Sequence, residues 1–373
     1  MRGVFFKRLD WVIVATSSLL VAIGLLVLYS SGIKPAESTA QIDTTRQSFY
    51  VLAGILVAIF MVRLDYRSLK SYVVPIYIIT LISLLAVEFV GKTALGAQRW
   101  INLGFFQFQP SEFSKLALIV ALATYLSRVY GLTKQIRFTV VSLLILAPPL
   151  VLVVGQPDLG TGLVFMSIWL AMTLATLLPK RYLAAAGGAG VVLLPVIYRF
   201  LAPYQKSRLQ VLFNPQADRL GTGYNVVQSM IAVGSGGWFG RGLSAGSQSQ
   251  LNFLPSQHTD FIFAVLAEKM GFVGAVLTIV LFCILIARIY IVGTQSADRF
   301  GSFLCIGIAS MLLFHTLINI GMNMGIMPVT GIPLPFISAG GTSMLINCAA
   351  IGVVLSVSAQ RNTTRRVKDT DHA

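Results

Sequence analysis

The chain has 373 residues, of which 56% are hydrophobic and only 11% are charged, with a formal net charge of +15. A soluble domain of this length would carry about twice that charged fraction, so the composition excludes an ordinary soluble protein. The positive charge does not indicate a nucleic-acid-binding protein, because short basic loops between apolar segments account for most of it.

Apolar segments long enough to cross a bilayer, about 18 residues or more, recur along the whole chain. They predict an all-α polytopic membrane protein with ten membrane-spanning helices. The first segment is too long to be a removed signal peptide, and the eighth is longer than a bilayer requires. The predicted spans are 11–31, 47–63, 72–90, 112–128, 139–155, 159–178, 182–200, 260–290, 301–325 and 340–358.

The distribution of basic residues predicts the orientation of these spans. Most of the 28 Lys and Arg residues lie in short segments on one side, and such an excess marks the cytoplasmic side of a membrane protein. We therefore predict a single membrane domain, 1–373, with both termini in the cytoplasm and a short basic tail at about 359–373. A long outer loop, about 201–259, would join helices 7 and 8. Its apolar spacing from Tyr224 predicts a helix along the membrane surface.

Common motifs of soluble enzymes do not occur in the sequence. It contains no CxxC, HExxH, GxxxxGK[ST] or GxSxG pattern, which removes the usual zinc, nucleotide and hydrolase assignments. Cys283, Cys305 and Cys348 lie inside apolar segments. We interpret them as small buried side chains rather than a disulfide or a metal site.

Acidic residues at the predicted outer ends of the spans are the first functional candidates. Glu88, Glu112, Asp158 and Asp260 lie there, and charges at such positions usually face a polar cavity or a partner. Lys115 shares a helix face with Glu112, so this pair either pins a helix end or presents a cation to an anionic substrate. Asp158 and Asp260 each precede a helix, so each is either a helix cap or part of a site.

The segment 327–343, MPVTGIPLPFISAGGTS, contains three prolines and three glycines and cannot form a regular helix. Irregular backbone at membrane depth is tolerated only where protein or a water-filled cavity receives its polar groups. Just upstream, Gly321 and Gly325 have the spacing of a close helix contact. Together these features predict a polar cavity that opens to the outer face of the membrane.

Five motifs in this order resemble a known family: QRWINLG, QPSEFSKL, QPDLGTG, QSQLNFLPSQHTDFIFAVLAEKMGFVG and MPVTGIPLPFISAGGTS. They are similar to the SEDS proteins (shape, elongation, division and sporulation) of bacterial cell-wall synthesis, over essentially the whole chain. The RodA branch, which acts in elongation, is a better match than the FtsW branch, which acts in division. The resemblance implies the ten-helix SEDS fold in the bacterial cytoplasmic membrane.

The resemblance also implies an activity and partners. The protein would be a peptidoglycan glycosyltransferase, an inverting enzyme that polymerises lipid II with its active site facing outward. Its partners would be lipid II, the lipid-linked nascent glycan, a class B penicillin-binding protein with transpeptidase activity, and membrane proteins of the elongation complex, but no nucleic acid. A divalent cation, Mg²⁺ or Mn²⁺, is compatible with the family, but the resemblance gives no ligand set.

Site residues follow from the motifs and from the chemistry that the reaction requires. The essential aspartate of the family corresponds to Asp260, which we predict to be the general base for the acceptor hydroxyl. Cations would stabilise the departing pyrophosphate. Trp100 either stacks on sugar or lipid, or is an interfacial anchor. The predicted substrate-binding residues are Lys115, Glu112, Trp100, Arg99, Asp158, His258 and Thr259.

Three residues depart from the usual family pattern. Asn252 replaces an acid, Lys269 replaces a second Glu, and Ala339 replaces a Tyr. The first change weakens any metal site that would combine Asn252 with Asp260.

Two other functions remain open from the sequence. A flippase of lipid-linked precursors would carry charges along the membrane depth and an internal repeat, and the chain shows neither. A non-catalytic scaffold for a penicillin-binding protein would tolerate changes in the outer motifs, which only an assay can decide.

Overall fold

A computed structural model gives the structure of the chain. It describes residues 9–31, 39–94, 97–102, 104, 106–131, 136–176, 188, 199, 203–214, 218, 221–243, 254 and 256–370. Helices dominate these ranges, and one small antiparallel sheet is present.

The helices, in chain order, are α1 (Trp11–Ser31), α2 (Thr39–Arg63), α3 (Ser68–Ser71), α4 (Val73–Val90), α5 (Pro110–Val129), α6 (Ile136–Gly155), α7 (Leu159–Leu174), α8 (Pro203–Phe213), α9 (Thr222–Ser235), α10 (Ile262–Thr294), α11 (Arg299–Asn323) and α12 (Gly341–Thr370).

Within the described ranges, seven helices are long and apolar enough to span a membrane. They are α1, α2, α4, α6, α10, α11 and α12. α5 has 20 residues but carries buried charges near its start, and α7 has 16 residues. The predicted span 182–200 lies almost wholly outside the described residues. The prediction of a polytopic helical membrane protein is confirmed, whereas the count of ten spans stays a prediction.

The centre of the bundle is formed by α5 and α11, which are buried on most sides. α4, α7, α10 and α12 pack around one or both of them, and α1 and α2 pack outside α10 and α12. Gly307 allows the close approach of α11 to α5, because a Cβ there would lie 2.7 Å from Cγ2 of Ile119. The start of α5 is therefore deep in the protein, which decides the environment of Glu112 and Lys115.

The long helix α10 is broken near its start at Gly271, whose φ of 67° and ψ of −167° are not helical. In an unbroken α-helix, the amides of Phe272 and Val273 would bond to the carbonyls of Glu268 and Lys269. The break leaves these four backbone groups without their helical partners. Unpaired backbone groups inside a membrane bundle cost several kcal/mol each, by order of magnitude.

Residues 237–242, which we call the inserted segment, pair with both sides of this break. They follow α9, and their backbone donates to the carbonyls before Gly271 and accepts from the amides after it. The four bonds are Arg241 N to Glu268 O (3.0 Å), Gly242 N to Lys269 O (3.2 Å), Phe272 N to Gly237 O (2.8 Å) and Val273 N to Trp238 O (3.1 Å). The predicted eighth span is therefore two helical parts that meet at Gly271, where the inserted segment pairs with the backbone of both.

Glycine is required where the two backbones meet. Gly240 and Gly271 both have positive φ, 82° and 67°. A Cβ on Gly240 would collide with the backbone of α10 at the break, and a Cβ on Gly271 would collide with the backbone of the inserted segment. Gly242 also has a positive φ, 88°, but a Cβ there would meet nothing within 4 Å. The run of glycines between 236 and 242 thus has a packing role at Gly240 that it lacks at Gly242.

The loop 91–111, which was predicted to lie on the outer side, forms a small sheet that was not expected from the sequence. Its strands are β1 (Lys92–Ala94), β2 (Ala97–Asn102) and β3 (Gln107–Phe108), in the order β1-β2-β3 and antiparallel throughout. Thr342 at the start of α12 accepts from the amide of Gln109 (3.2 Å) and donates to the carbonyl of Gln107 (2.9 Å). The sheet is therefore fixed to the bundle, and it carries Arg99 and Trp100.

The helix predicted from Tyr224 is confirmed as α9, which packs against α10 and α11. Its position along a membrane surface stays a prediction. The irregular character predicted for 327–343 is confirmed for residues 327–340, which contain no helix or strand, whereas 341–343 form the start of α12.

A glycine substitution tests the inserted segment. We expect Gly240→Ala to lower the midpoint of thermal unfolding in detergent more than Gly242→Ala does. Both substitutions carry the cost of a positive φ, about 1 kcal/mol or more, but only the first also forces backbone atoms apart. Equal shifts for the two variants would show that the contact at Gly240 does not hold the break together.

Candidate active site

A polar cavity of about 1140 Å³ lies at one end of the bundle, where α5, α7, α10 and α12 begin. It is larger than the roughly 300–1,000 Å³ of an ordinary small-molecule pocket. Glu88 is exposed at the end of α4 and is not among the lining residues. All eight predicted site residues line the cavity: Arg99, Trp100, Glu112, Lys115, Asp158, His258, Thr259 and Asp260.

Lys115 and Glu112 form a buried ion pair at the base of this cavity. The ammonium nitrogen lies 2.6 Å from Oε1 of Glu112, and the two side chains are only 2% and 4% exposed. Pro110 at the first position of α5 suits a helix start because its missing N–H would have no helical partner. Three residues separate the two charges, so they share one helix face.

His315 of α11 is the second partner of Lys115. Its Nε2 lies 3.1 Å from Nζ of Lys115, and its Nδ1 lies 3.3 Å from the carbonyl of Pro333. Because a carbonyl only accepts, Nδ1 carries the proton and the neutral Nε2 accepts from the ammonium. Two of the three ammonium N–H groups of Lys115 are thus engaged, and the third can reach an oxygen in the cavity.

Sequence reasoning did not identify His315. The available signal was a histidine inside an apolar span, where an ionisable side chain usually has a partner. Nothing in the sequence, however, shows that α11 faces the start of α5.

Asp158 caps α7 and also contacts Arg99. Its Oδ1 accepts from the amide of Thr161 (3.3 Å) and lies 3.7 Å from Nη1 of Arg99. Its Oδ2 accepts from the hydroxyls of Thr161 (2.9 Å) and Ser111 (3.3 Å). Arg99 also donates to the carbonyls of Gln156 and Pro157. The capping interpretation of Asp158 is confirmed. The same carboxylate also contacts a cation at the cavity wall, and its part in a functional site stays a prediction.

Asp260 lies in the turn that precedes α10 and does not cap that helix. The N-cap is Phe261, with no side-chain capping bond. The amide of Ala264 in the first turn donates instead to Oδ1 of Asn323 (3.1 Å). The alternative that Asp260 is a helix cap is therefore wrong, and its carboxylate lines the cavity.

The turn around Asp260 is fixed by hydrogen bonds to the irregular segment 327–340. The carbonyl of His258 accepts from the amide of Ala339 (2.8 Å), and the carbonyl of Thr259 accepts from the hydroxyl of Ser338 (2.7 Å). A Cβ on Gly331 would lie 3.6 Å from Oδ2 of Asp260. The segment that sequence alone could only describe as irregular thus supports the backbone of the predicted general base.

Burial raises the pKa of Asp260 above its ordinary value, because desolvation disfavours the charged form. Arg208, the hydroxyl of Thr259 and Arg99 act in the opposite direction, and Asp158 adds to the rise. The net direction is upward. A carboxylate with a raised pKa is a better proton acceptor than an exposed aspartate.

The residues that the structure describes do not form a protein-built metal site. Among the described residues, no group of three or more His, Cys, Asp or Glu side chains could hold a metal ion. Glu112 and Asp158 are already paired with Lys115 and Arg99. We therefore derive no step through a metal ion.

The three departures from the family pattern lie in different places. Asn252 lies outside the described residues. Lys269 is buried and donates to the carbonyl of Leu243 (3.3 Å), away from the residues that line the cavity. Ala339 lines the cavity.

This arrangement defines an integral membrane protein of many helices with a polar, charge-bearing site at one end of its bundle. Residues 10–363 match the family model of FtsW, RodA and SpoVE, described as "Cell cycle protein". The chain belongs to this family, as the SEDS resemblance indicated.

Curated relatives cover nearly the whole chain. The peptidoglycan glycosyltransferase MrdB of Escherichia coli (strain K12) is 36% identical, over 92% of this chain and 93% of the relative. Stage V sporulation protein E of Bacillus subtilis (strain 168) is 36% identical, over 94% and 96%. The peptidoglycan glycosyltransferase RodA of Treponema pallidum (strain Nichols) is 32% identical, over 97% and 99%.

Solved structures share the fold. One is a chain of the structure described as "Structural coordination of polymerization and crosslinking by a peptidoglycan synthase complex". Its TM-score is 0.81, and it is 33% identical over 95% of this chain and 98% of that chain. Another is the rod shape determining protein RodA of Thermus thermophilus, with a TM-score of 0.71 and 30% identity over 95% and 97%.

Breaking the buried ion pair tests its place in the structure. We expect Glu112→Gln to lower the free energy of unfolding by about 3–5 kcal/mol, because it leaves the buried charge of Lys115 without its carboxylate. Glu88→Gln is the matched control, since Glu88 is exposed. Chemical denaturation in detergent measures both variants, and equal stability would mean that water already solvates Lys115.

Proposed function

We propose that the chain is a peptidoglycan glycosyltransferase that polymerises lipid II into glycan strands during cell elongation. The observation that carries the proposal is one cavity bearing both a carboxylate with a raised pKa and several cations. Glycan transfer from a lipid pyrophosphate requires both. The curated names of the relatives support the same activity.

Asp260 acts as the general base. It takes the proton from the acceptor sugar hydroxyl while that oxygen attacks the anomeric carbon of the donor. The new glycosidic bond forms as the bond from the anomeric carbon to the pyrophosphate oxygen breaks. Attack and departure in one step invert the anomeric centre, and the proton stays on Asp260 until solvent removes it.

Cations around the cavity stabilise the negative charge that develops on the pyrophosphate. Lys115 offers an ammonium already oriented by Glu112 and His315. Arg99 is oriented by Asp158 and by two backbone carbonyls. Groups held in place before the reaction are worth more than mobile ones, because they do not have to reorganise as the charge moves.

Trp100 and the turn residues position the sugars. Trp100 sits on β2 with one side on the cavity, where an indole ring can stack on the apolar face of a sugar. His258 and Thr259 precede Asp260 and offer hydrogen-bonding groups to the hydroxyls of the acceptor. The catalytic and binding groups thus come from β2, α5 and the turn before α10.

The site faces outward in the bacterial cytoplasmic membrane, as the excess of basic residues in the short loops predicts. A class B penicillin-binding protein with transpeptidase activity crosslinks the product, and the match to a chain of a peptidoglycan synthase complex supports such a partner. Other elongation-complex membrane proteins complete the assembly.

The flippase and scaffold alternatives are not favoured. The relatives are named for glycosyl transfer, and the charges of the cavity are collected at one end of the bundle. A flippase would require polar groups along the whole path of its substrate.

Replacement of the predicted base is the direct test of the activity. We expect Asp260→Asn to abolish polymerisation of lipid II by the purified protein with its penicillin-binding partner, since the amide cannot accept the proton. Asp65→Asn, in the loop between α2 and α3, is the matched control and should retain activity. Glycan strands made by Asp260→Asn at the wild-type rate would remove Asp260 from the chemistry.

The raised pKa of Asp260 predicts a pH dependence. The base must be deprotonated, so the rate should fall as the pH drops through a pKa above about 3.9, the ordinary value of an aspartate. Arg208 lowers the pKa of Asp260, so Arg208→Gln should move this acidic limb to higher pH. Lys206→Gln on the same helix is the control, because Lys206 does not line the cavity. An unmoved limb in Arg208→Gln would contradict the assignment.

A further inference from the structure

Asn323, the last residue of α11, joins three parts of the chain beside Asp260. Its side-chain amide donates to the carbonyl of Asp260 (3.1 Å), and its Oδ1 accepts from the amide of Ala264 (3.1 Å). Ser229 of α9 donates to both the carbonyl (2.9 Å) and Oδ1 (3.2 Å) of Asn323. Asn323 is fully buried. One side chain therefore links α9, α11 and the turn that carries the predicted base.

Asn319, one helical turn earlier, strengthens the same link. Its amide donates to the carbonyls of Asp260 (3.0 Å) and Ile332 (2.8 Å), and its own carbonyl accepts from Asn323 (2.7 Å). Two amide donors thus converge on the backbone carbonyl of Asp260. Because the direction of a side chain follows from its backbone, these bonds restrict where the carboxylate can point.

α9 holds the first part of α10 at both of its ends. At the start of α10, Ser229 and Asn323 connect α9 to Asp260 and Ala264. At the break, the inserted segment that follows α9 forms backbone hydrogen bonds to α10 on both sides of Gly271. Residues 262–270 therefore lie between the bonds to Asn323 and the bonds that pair the break at Gly271.

We propose that Asn323 is a positioning residue of the transfer reaction, which fixes the backbone of Asp260 and makes the placement of its carboxylate depend on α9. This inference rests on the proposed function, in which Asp260 is the general base.

Asn323→Leu tests the proposal, because leucine has a similar size but neither donates nor accepts. We expect kcat for lipid II polymerisation to fall by about tenfold to a hundredfold, since a misplacement of about 1 Å can cost a hundredfold. KM should stay close to the wild-type value, and the acidic limb of the pH–rate profile should shift. Ser229→Ala, which leaves the bonds of Asn323 to Asp260 in place, should give a smaller loss of kcat in the same direction.

Asn347→Leu is the matched control for removing a buried amide from a membrane helix. Asn347 is buried in α12 and donates to Ser343 (3.3 Å), and this hydrogen bond does not involve the turn before α10. It should lower thermal stability as Asn323→Leu does, while kcat and the acidic limb stay near wild type. If Asn323→Leu does not fold, Asn323→Ala removes the same hydrogen-bonding groups without added bulk or charge, and it should show the same loss of kcat.

Wild type and Asp260→Asn, assayed in parallel, separate the two proposals. A wild type that makes no glycan overturns the proposed function. Suppose that wild type is active and Asp260→Asn is inactive. Unchanged kcat and an unchanged pH profile in Asn323→Leu would then overturn the positioning role alone. Unchanged kinetics in Ser229→Ala would overturn the dependence on α9.

Discussion

The structure depends on one constraint, which is that backbone polar groups inside a membrane bundle must find partners within the protein. The break in α10 at Gly271 exposes two amides and two carbonyls, and the inserted segment 237–242 pairs all four. The irregular segment 327–340 meets the same requirement through Asn319, Ser338 and the turn before Asp260. Both irregular regions consequently hold the turn and first part of α10 in place.

Charged side chains at the end of the bundle follow a related rule. Burying an isolated charge costs far more than burying a pair with complete hydrogen bonding. Lys115 accordingly lies between Glu112 and His315, and Arg99 lies between Asp158 and two carbonyls. Each pairing neutralises part of the charge but leaves a donor that can turn toward the cavity. The interactions that make these charges tolerable are also those that orient them for an anionic substrate.

Much of the fold and of the candidate site could be predicted from sequence. Hydropathy places α1, α4 and α11 within two residues of the observed ends, since a bilayer-spanning helix must be continuously apolar. The eight site residues predicted from the motifs all line one cavity. The small sheet at 92–108 was missed because its strands are short and held by Thr342, far away in sequence. The capping alternative for Asp260 was wrong because Asn323 supplies the bond to Ala264 instead.

The sequence by itself determined the class of protein, the seven long apolar helices that the structure describes and the residue types that line the cavity, because apolar length and rare charges are visible one residue at a time. Only the tertiary structure decided which groups meet. His315 reaches Lys115 across 200 positions of sequence, and Ser229 reaches Asn323 across 94. Such contacts depend on how helices pack around α5 and α11, and one sequence does not reveal that packing, since many faces of a membrane helix are equally apolar.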